Sequence, residues 1–362
     1  MRYLFFLIFS FLLSIQLSFA QTEKLKLAVA GFEHGHINGF LRQVANQDDF
    51  ELVGYYEPKA DLAKQVMSRF DLDPGKHYNS LSEMLKATSP DLTAIFSSTY
   101  DHPQLVEVCA RQKANVMMEK PLAVNMEHAR RIKTAVEEND ILLMVNYETT
   151  WYPSNHLAKK TVEKQQLGDI RKMVVHSGHK GPKEIGVGPY FLDWLTDPKL
   201  NGGGALMDFG CYGANLMTWL MNNERPLKVS AITQQIKPDV YPEVEDEATI
   251  IITYPQAQGI IQASWNWPFS RKDLEVYGQT GNLIAHDNTR YSLHLPGKEE
   301  FTSTVEQTDF GYQSPLALMA DVIHGNTELD GLSSLENNLI VTEILEAALK
   351  SARLGEVIQL DR

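Results

Sequence analysis

The stretch Asn-Val-Met-Met-Glu-Lys-Pro, residues 115–121, decides how the rest of the chain folds around it. Its first four residues predict a short, fully buried β-strand, and Pro121 ends that strand because it cannot donate a ladder hydrogen bond. A charged pair at the end of a buried strand is costly unless the charges are paired or functional. Ligands of open α/β sheets bind at this edge. Glu119 and Lys120 are therefore candidate site residues; the alternative is an ordinary strand exit with solvated charges.

Length and composition restrict the class of protein. The 362 residues suffice for two domains, and 43% hydrophobic with 22% charged residues is typical of a globular protein. A net charge of −13 without a basic stripe argues against a nucleic-acid partner. Cys109 and Cys211 are too few for a disulfide framework, so we expect two buried free thiols, although the sequence leaves open whether they pair.

Residues 1–20 predict a secretory signal peptide. Arg2 is followed by an almost wholly apolar run from Leu4 to Leu13, and Ser18-Phe19-Ala20 places small residues before a cut near Ala20. An anchoring helix is the weaker alternative, because the run is shorter than the roughly 20 residues that span a bilayer. We therefore expect export across the inner membrane, a periplasmic location and no membrane span in the mature chain.

Strands alternate with helices from residue 25 to 147, which predicts a doubly wound, mostly parallel sheet. The strand Lys24–Ala30 leads into a loop and a helix, as in a dinucleotide-binding unit. The dinucleotide-binding pattern has glycines at its first, third and sixth places. Gly31 holds the first place here, whereas Glu33 holds the third and His36 the sixth. A carboxylate at Glu33 repels a pyrophosphate unless it turns away. His34 and His36 lack further ligands at recognisable spacing, so we expect no metal site.

Glu57 follows the second strand, 26 residues after Gly31. An acid near this position binds the ribose hydroxyls of NAD. The sequence thus predicts NAD or NADP as cofactor and slightly favours NAD, although the nearby Lys59 weakens that preference. The alternative is a polar strand exit without a ligand.

The pattern changes after Tyr147. A loop-rich stretch with His179 and Trp194 follows one helix and one strand, and residues 202–204, Gly-Gly-Gly, precede a helix that presents Asp208 and Tyr212 on one face. From Leu227 strands follow one another directly, which predicts an antiparallel sheet. We therefore divide the mature chain into a Rossmann domain, residues 21–147, and an α+β domain for substrate and oligomerisation, residues 148–362, whose C-terminal helix packs back.

Four motifs resemble those of the glucose–fructose oxidoreductase / inositol dehydrogenase / MocA family. They are Glu119-Lys120-Pro121 after a strand; His102, 17 residues earlier; Gly202-Gly203-Gly204 with Asp208-x-Gly210-x-Tyr212; and Val244-Glu245-Asp246 followed by Ser264-Trp265 and Tyr277-Gly278-x-x-Gly281. The resemblance implies a Rossmann domain followed by an open antiparallel sheet that covers the active site and often pairs subunits, and hence a homo-oligomer. Tyr212 stands where many members have histidine, as in the branch with glucose–fructose oxidoreductase and the dihydrodiol and aldose dehydrogenases.

The resemblance also implies a chemistry, in which hydride leaves a sugar carbon for a nicotinamide while a base takes the hydroxyl proton. Tyr212 is the expected base, provided that a cation lowers its pKa from about 10, and Lys120 is the expected cation. Asp208 would bind or orient the sugar hydroxyls. The residues expected to line the cofactor are Gly31, Phe32, Glu57, Ser97, Thr99, His102 and Glu119. Those expected to reach the substrate are His179, Trp194 and Trp265, the tryptophans because aromatic faces pack on sugars.

Three functions remain open at this stage. The first is an NAD(P)-dependent oxidoreductase of a sugar or sugar-derived hydroxyl. The second is an NAD-dependent glycosidase of the same fold. The third is a non-catalytic sugar-binding relative that has lost the cofactor, which the poor glycine loop favours. The substrate is expected to be a small carbohydrate, and neither the sequence nor the resemblance identifies which one.

Overall fold

The computed structural model describes residues 23–309, 311 and 314–360. The expected signal peptide, residues 1–20, lies outside the described residues. Within the part of the chain that is described, every helix is too short or too polar to cross a membrane.

The first sheet is parallel and, counted over the described residues, has six strands. Its strands are β1 (Leu25–Ala30), β2 (Phe50–Tyr56), β3 (His77–Tyr78), β4 (Leu92–Ile95), β5 (Asn115–Glu119) and β6 (Leu143–Asn146), in the order β3-β2-β1-β4-β5-β6. Helices alternate with them: α1 (Ile37–Ala45), α2 (Ala60–Phe70), α3 (Leu81–Thr88), α4 (His102–Arg111) and α5 (Met126–Asn139). The doubly wound prediction is confirmed. The strand order reverses between β1 and β4, which opens a crevice at their carboxyl ends.

Within the described part of the chain, the second sheet has nine strands. The chain continues through α6 (Pro153–Glu163), β7 (Ile170–Gly178), α7 (Pro189–Leu195) and α8 (Ala205–Leu220) to β8 (Lys228–Gln234), β9 (Glu247–Thr253), β10 (Gln258–Ser264), β11 (Arg271–Gly278), β12 (Asn282–Ala285), β13 (Arg290–His294) and β14 (Phe301–Thr304), then to α9 (Pro315–Ile323), α10 (Leu335–Leu354) and β15 (Ile358–Gln359). The order is β14-β13-β12-β11-β7-β10-β9-β8-β15. Every pair is antiparallel except β7 with β10, so the prediction of a mainly antiparallel sheet is confirmed.

Two features of this sheet differ from the sequence-based expectation. β7 lies between β10 and β11, whose residues come much later in the chain, and succession along the chain does not predict such long-range pairing. The stretch predicted as loop also contains α7. Its seven residues begin with Pro189 at the first helical position, and a helix this short gives little periodicity to detect.

Helix α8 lies on the inner face of the second sheet and is buried almost all round. Glu245 fixes its start, because its Oε1 accepts hydrogen bonds from the backbone N–H groups of Gly204 (2.8 Å) and Leu206 (3.0 Å). A Cβ on Gly204 would lie 1.9 Å from the carbonyl oxygen of Glu245. This contact explains why glycine precedes the helix, and it sets the rotation of the face that carries Asp208 and Tyr212.

The end of the chain returns to both sheets. Helix α10 packs against α8, β8 and α5. Leu316 and Met319 of α9 join the apolar cluster that contains Leu27 of β1 and Phe40 of α1. Helix α10 thereby connects α5 of the first domain to α8 and β8 of the second.

Candidate functional site

A buried ion pair joins the two sheets at the carboxyl end of β5. Lys120 Nζ donates to Asp208 Oδ1 at 2.6 Å and to the Asp208 backbone carbonyl at 3.0 Å. Trp265 Nε1 donates to Asp208 Oδ2 at 3.0 Å. Both oxygens of the carboxylate are therefore satisfied, although the two charged side chains are only 5% and 8% exposed.

The acids of the site are ionised despite their burial. Burial opposes ionisation of Asp208, but the Lys120 ammonium outweighs it and lowers the pKa of Asp208 to about 2. Burial likewise opposes the charge on Glu119, and His36 and His34 lower its pKa to about 2. Burial disfavours the charged form of Lys120 as well, yet Asp208 raises the pKa of this ammonium above its usual range.

These lowered pKa values predict a loss of stability in acid. A carboxylate whose pKa is depressed on folding stabilises the fold above its ordinary pKa of 3.8 for Asp208 and 4.5 for Glu119, and this contribution is lost as the pH falls towards about 2. We expect each group to contribute on the order of 2–3 kcal/mol. The free energy of unfolding of Glu119→Gln, measured with denaturant at each pH, should therefore fall less steeply between about pH 4.5 and pH 2 than that of the parent protein. Glu300→Gln, which changes an exposed loop residue, is the control; an unchanged slope in Glu119→Gln would contradict the assignment.

Two lysines face the ring of Tyr212. The distance from the ring centroid is 5.1 Å to Lys120 Nζ and 4.7 Å to Lys272 Nζ. Burial, followed by the negative charge of Glu148, nevertheless raises the pKa of Tyr212 well above 10. The direction is the reverse of the sequence-based expectation that Lys120 lowers this pKa, because burial disfavours the charged phenolate more than the nearby ammonium groups favour it. The phenol is therefore neutral in this structure.

The first cavity, about 630 Å³, lies over this group. Lys120, Asp208, Tyr212, Lys272 and His179 line it together with the loop after β1. Burial lowers the pKa of His179, and the Gly181 N–H donates to its Nδ1 at 2.9 Å. The neutral imidazole therefore carries its proton on Nε2, which makes His179 a hydrogen-bond donor beside the cavity.

The second cavity, about 480 Å³, adjoins the first and shares Glu33 and Tyr190 with it. Gly31, Glu57, Ser97 and Trp194 are among its lining residues. Glu57 is buried at the end of β2 and accepts hydrogen bonds from the N–H groups of Phe32 and Lys59, both at 2.8 Å. Gly31 has φ +86°, and a Cβ there would lie 3.2 Å from the backbone of Phe96 and Ser97. Two joined cavities with an acid at the end of β2 fit an extended dinucleotide.

The carboxylate of Glu33 is neutralised within the loop. It forms an ion pair with Lys59, whose ammonium lies 5.6 Å from the centroid of the Tyr190 ring. A lone acid here would repel a pyrophosphate. Because the Lys59 ammonium neutralises the Glu33 carboxylate, this loop does not repel a pyrophosphate as the sequence alone suggested.

This ion pair gives a testable prediction for dinucleotide affinity. Lys59→Ala leaves the Glu33 carboxylate uncompensated, so we expect binding of NAD to weaken about tenfold, from charge repulsion at a distance of several ångströms. The double variant Lys59→Ala/Glu33→Gln should recover most of the affinity measured by calorimetry. Lys64→Ala removes an exposed lysine of α2, the helix that follows Lys59, and serves as control. A double variant that binds no better than Lys59→Ala would refute the role of the pair.

The other expected site residues lie at different depths. Thr99, His102 and Glu119 are buried, and neither cavity has any of them in its lining. His102 Nδ1 lies 3.2 Å from the Leu122 carbonyl oxygen, and burial lowers the pKa of His102 to about 4. The imidazole therefore contacts the chain just after Lys120-Pro121. Glu119 bonds to His36 at 3.0 Å and to Asn146 at 3.1 Å, and Phe32 lines the first cavity.

The two tryptophans expected to reach the substrate have other neighbours. Trp265 is fully buried beneath Asp208, which it holds by the hydrogen bond described above. Trp194 of α7 lines the second cavity and packs near His34, with ring centroids 5.7 Å apart. Its indole N–H has no partner among the described residues. The structure thus places Trp194 on the side where the cofactor would lie, and of the three expected substrate residues it brings only His179 beside Tyr212.

Among the described residues, two groups of side chains have the types that bind metals. The candidate ligand atoms of His34, His36 and Glu119 lie within 4.8 Å of one another. However, the His36 N–H donates to His34 Nδ1 at 3.2 Å, so neutral His34 carries its proton on Nε2, the atom that faces Glu119. This tautomer does not suit a cation. In the group His176, Asp273 and Glu275, Arg271 already binds both oxygens of Asp273.

Sequence reasoning did not select Lys272, its partner Glu148, or α7. Lys272, Leu274 and Val276 are spaced two residues apart along β11, and Leu274 and Val276 are buried. Lys272 therefore lies on the inward face of this strand. The period-2 pattern could have identified it. The pairing with Glu148 depends on the packing of two distant segments and has no local signal.

The fold and the site define an NAD-binding Rossmann protein with a second, mainly antiparallel domain. Residues 25–147 match the family model described as "Oxidoreductase family, NAD-binding Rossmann fold", and residues 156–284 match the GFO/IDH/MocA C-terminal domain. The chain belongs to the GFO/IDH/MocA family.

Characterised relatives are distant. The chain is 25% identical over 244 residues to trans-1,2-dihydrobenzene-1,2-diol dehydrogenase of Sus scrofa, a match that covers 67% of this chain and 65% of that enzyme. It is 22% identical over 261 residues to scyllo-inositol 2-dehydrogenase (NADP(+)) IolU of Bacillus subtilis, covering 72% and 74%. The chain thus spans slightly less than two thirds of the length of the pig enzyme.

Solved structures share the fold over nearly the whole chain. Aldose–aldose oxidoreductase from Caulobacter crescentus, complexed with glycerol, superimposes with a TM-score of 0.79 at 21% identity, covering 93% of this chain and 100% of that one. An inositol dehydrogenase homolog complexed with NAD+ from Azotobacter vinelandii gives 0.80 at 17% identity, covering 94% and 98%. At these identities the likeness concerns the fold alone.

Proposed function

We propose that this protein is an NAD(P)-dependent oxidoreductase that acts on a hydroxyl group of a sugar or cyclic polyol. The observation that carries the proposal is the convergence of Lys120, Asp208 and Tyr212 in the wall of one cavity that adjoins a second cavity, which Gly31, Glu57 and Ser97 line. The relatives named for dihydrodiol and inositol dehydrogenation act on vicinal hydroxyls of six-membered rings, which supports this substrate class.

Glu57, Gly31 and Ser97 would hold the dinucleotide, which supplies hydride transfer when bound. The residues of the chain bind the substrate and move the proton. The ionised Asp208, fixed by Lys120 and Trp265, accepts a hydrogen bond from a substrate hydroxyl. Neutral Tyr212 donates its proton to a carbonyl oxygen in the direction of reduction. In the direction of oxidation the phenolate form of Tyr212 accepts the hydroxyl proton and becomes the phenol, and alkaline pH favours that direction because the pKa of the phenol is raised.

Assembly and location belong to the same proposal. The face of the second sheet that points away from α8 exposes Ile232 of β8 (75% exposed) and Ile251 of β9 (37%). Apolar side chains on an open sheet support pairing of two copies through this face. A periplasmic location rests on the sequence of residues 1–20 alone.

One experiment tests the proposed function. The purified protein is denatured, and the supernatant is examined for nicotinamide dinucleotide by absorbance and mass. The native protein is then incubated with NAD or NADP and a panel of aldoses, inositols and cyclic trans-diols, and reduced nicotinamide is followed by absorbance. We expect bound or readily acquired cofactor and reduction with at least one substrate class. Absence of both released cofactor and cofactor uptake would refute the proposal. Cleavage of an aryl glycoside without net reduction would select the glycosidase instead.

A further inference from the structure

A second lysine approaches Tyr212 from the sheet. Lys272 Nζ lies 4.7 Å from the centroid of the Tyr212 ring, closer than Lys120 Nζ at 5.1 Å. The two ammonium groups come from different domains, one from the loop after β5 and one from β11. Both ammonium groups are thus within cation–π range of the Tyr212 ring.

The two lysines differ in their partners. Lys120 is buried and bonded twice to Asp208, through the side chain and the backbone. Lys272 is paired with Glu148, whose other carboxylate oxygen accepts the Tyr152 hydroxyl at 2.5 Å. The side chains of Lys272 and Glu148 are 22% and 47% exposed, against 5% and 8% for Lys120 and Asp208. Changing one residue of the Lys272–Glu148 pair therefore leaves no fully buried charge without its partner.

We propose that the Lys272–Glu148 ion pair sets the proton affinity of Tyr212, with Lys272 favouring the phenolate and Glu148 favouring the phenol. The two residues act through Tyr212 and are positioning residues. The inference rests on the proposed function only in that Tyr212 carries the proton of the reaction. In support, Glu148 is the largest influence after burial that raises the pKa of Tyr212.

Other charged or titratable groups also face Tyr212. They are Lys120 and Glu119 at the end of β5, Tyr147 after β6, Asp208 and Cys211 on α8, and His179 after β7. All of them are retained when Lys272 or Glu148 is changed. Opposite shifts in two single variants therefore report on the pair itself.

The test measures the ionisation of Tyr212 directly. The chain is labelled with ring-13C tyrosine, and because it contains 14 tyrosines, the Tyr212 signal is assigned by its loss from Tyr212→Phe. Glu148→Gln should shift the titration midpoint of Tyr212 to a pH about one unit lower than in the parent protein, and Lys272→Met should shift it about one unit higher. Lys272→Arg keeps the charge and should restore the parent behaviour. Lys172→Met removes a lysine from the opposite face of the neighbouring strand β7 and should change nothing.

The kinetic readout follows the same order. The rising limb of the pH profile for sugar oxidation should move to lower pH in Glu148→Gln and to higher pH in Lys272→Met, a change of roughly tenfold in kcat at fixed pH. A Tyr212 signal that moves at no lower pH in Glu148→Gln than in the parent overturns the inference, as does an equal shift in Lys172→Met. If the NMR titrations show the expected order but the protein has no dehydrogenase activity, the proposed function is refuted. The effect of the Lys272–Glu148 pair on Tyr212 is then still established.

Discussion

Tyr212→Phe is expected to lower kcat by about 10²–10⁴-fold, the usual contribution of one proton-transfer group, while NAD binding stays within about twofold of the parent protein. The substitution removes only the hydroxyl. The ring keeps its edge-to-face contact with Tyr147, with centroids 5.6 Å apart, and its contacts with Lys120 and Lys272. A loss of turnover therefore reports on the proton and not on packing.

The matched control is Tyr147→Phe. Tyr147 is also fully buried, and its hydroxyl has no hydrogen-bond partner among the described residues. Removal of that hydroxyl should leave stability unchanged or slightly increased and most of the turnover intact. Steady-state kcat and KM, with NAD binding measured by calorimetry, separate the two variants. Tyr212→Phe with more than about a tenth of the parent kcat would remove Tyr212 from the proposed mechanism.

Lys120→Met is expected to abolish turnover and also to destabilise the fold by about 3–5 kcal/mol, because it leaves Asp208 as an uncompensated buried charge. Without the ammonium, the pKa of Asp208 should rise from about 2. The carboxyl group would then hold a proton at a pH where it is now ionised. Thermal and denaturant unfolding at neutral pH measure the loss of stability.

The double variant Lys120→Met/Asp208→Asn separates the two effects. The amide carries no charge, and its oxygen can still accept the Trp265 N–H. Most of the lost stability should return, whereas turnover should stay below about a hundredth of the parent value. Full activity in the double variant would show that the pair only holds the two domains together. A single variant as stable as the parent would show that Asp208 finds another partner.

Local patterns in the sequence determined the framework of this protein. Alternating strands and helices predicted the parallel sheet. The buried strand before Glu119-Lys120-Pro121 located Lys120 at its carboxyl edge. The spacing of Asp208 and Tyr212 by four residues placed both on one face of α8. These inferences succeed because periods of 3.6 and 2 residues, and the residues that end elements, act over short distances along the chain.

Tertiary structure alone decided which charges meet. Glu33 forms an ion pair with Lys59, and Glu148 forms one with Lys272. Trp265 donates a hydrogen bond to Asp208. Tertiary structure also decided that β7 enters the middle of the second sheet, which aligns β11 so that Lys272 points at Tyr212. Each of these contacts joins segments that are separated in sequence, so the pairing of strands and the packing of the two sheets select them and no local pattern encodes them. The sequence predicts Lys120 and Tyr212 as site residues, whereas the ionisation state of Tyr212 depends on burial and on the charges that the fold brings around it.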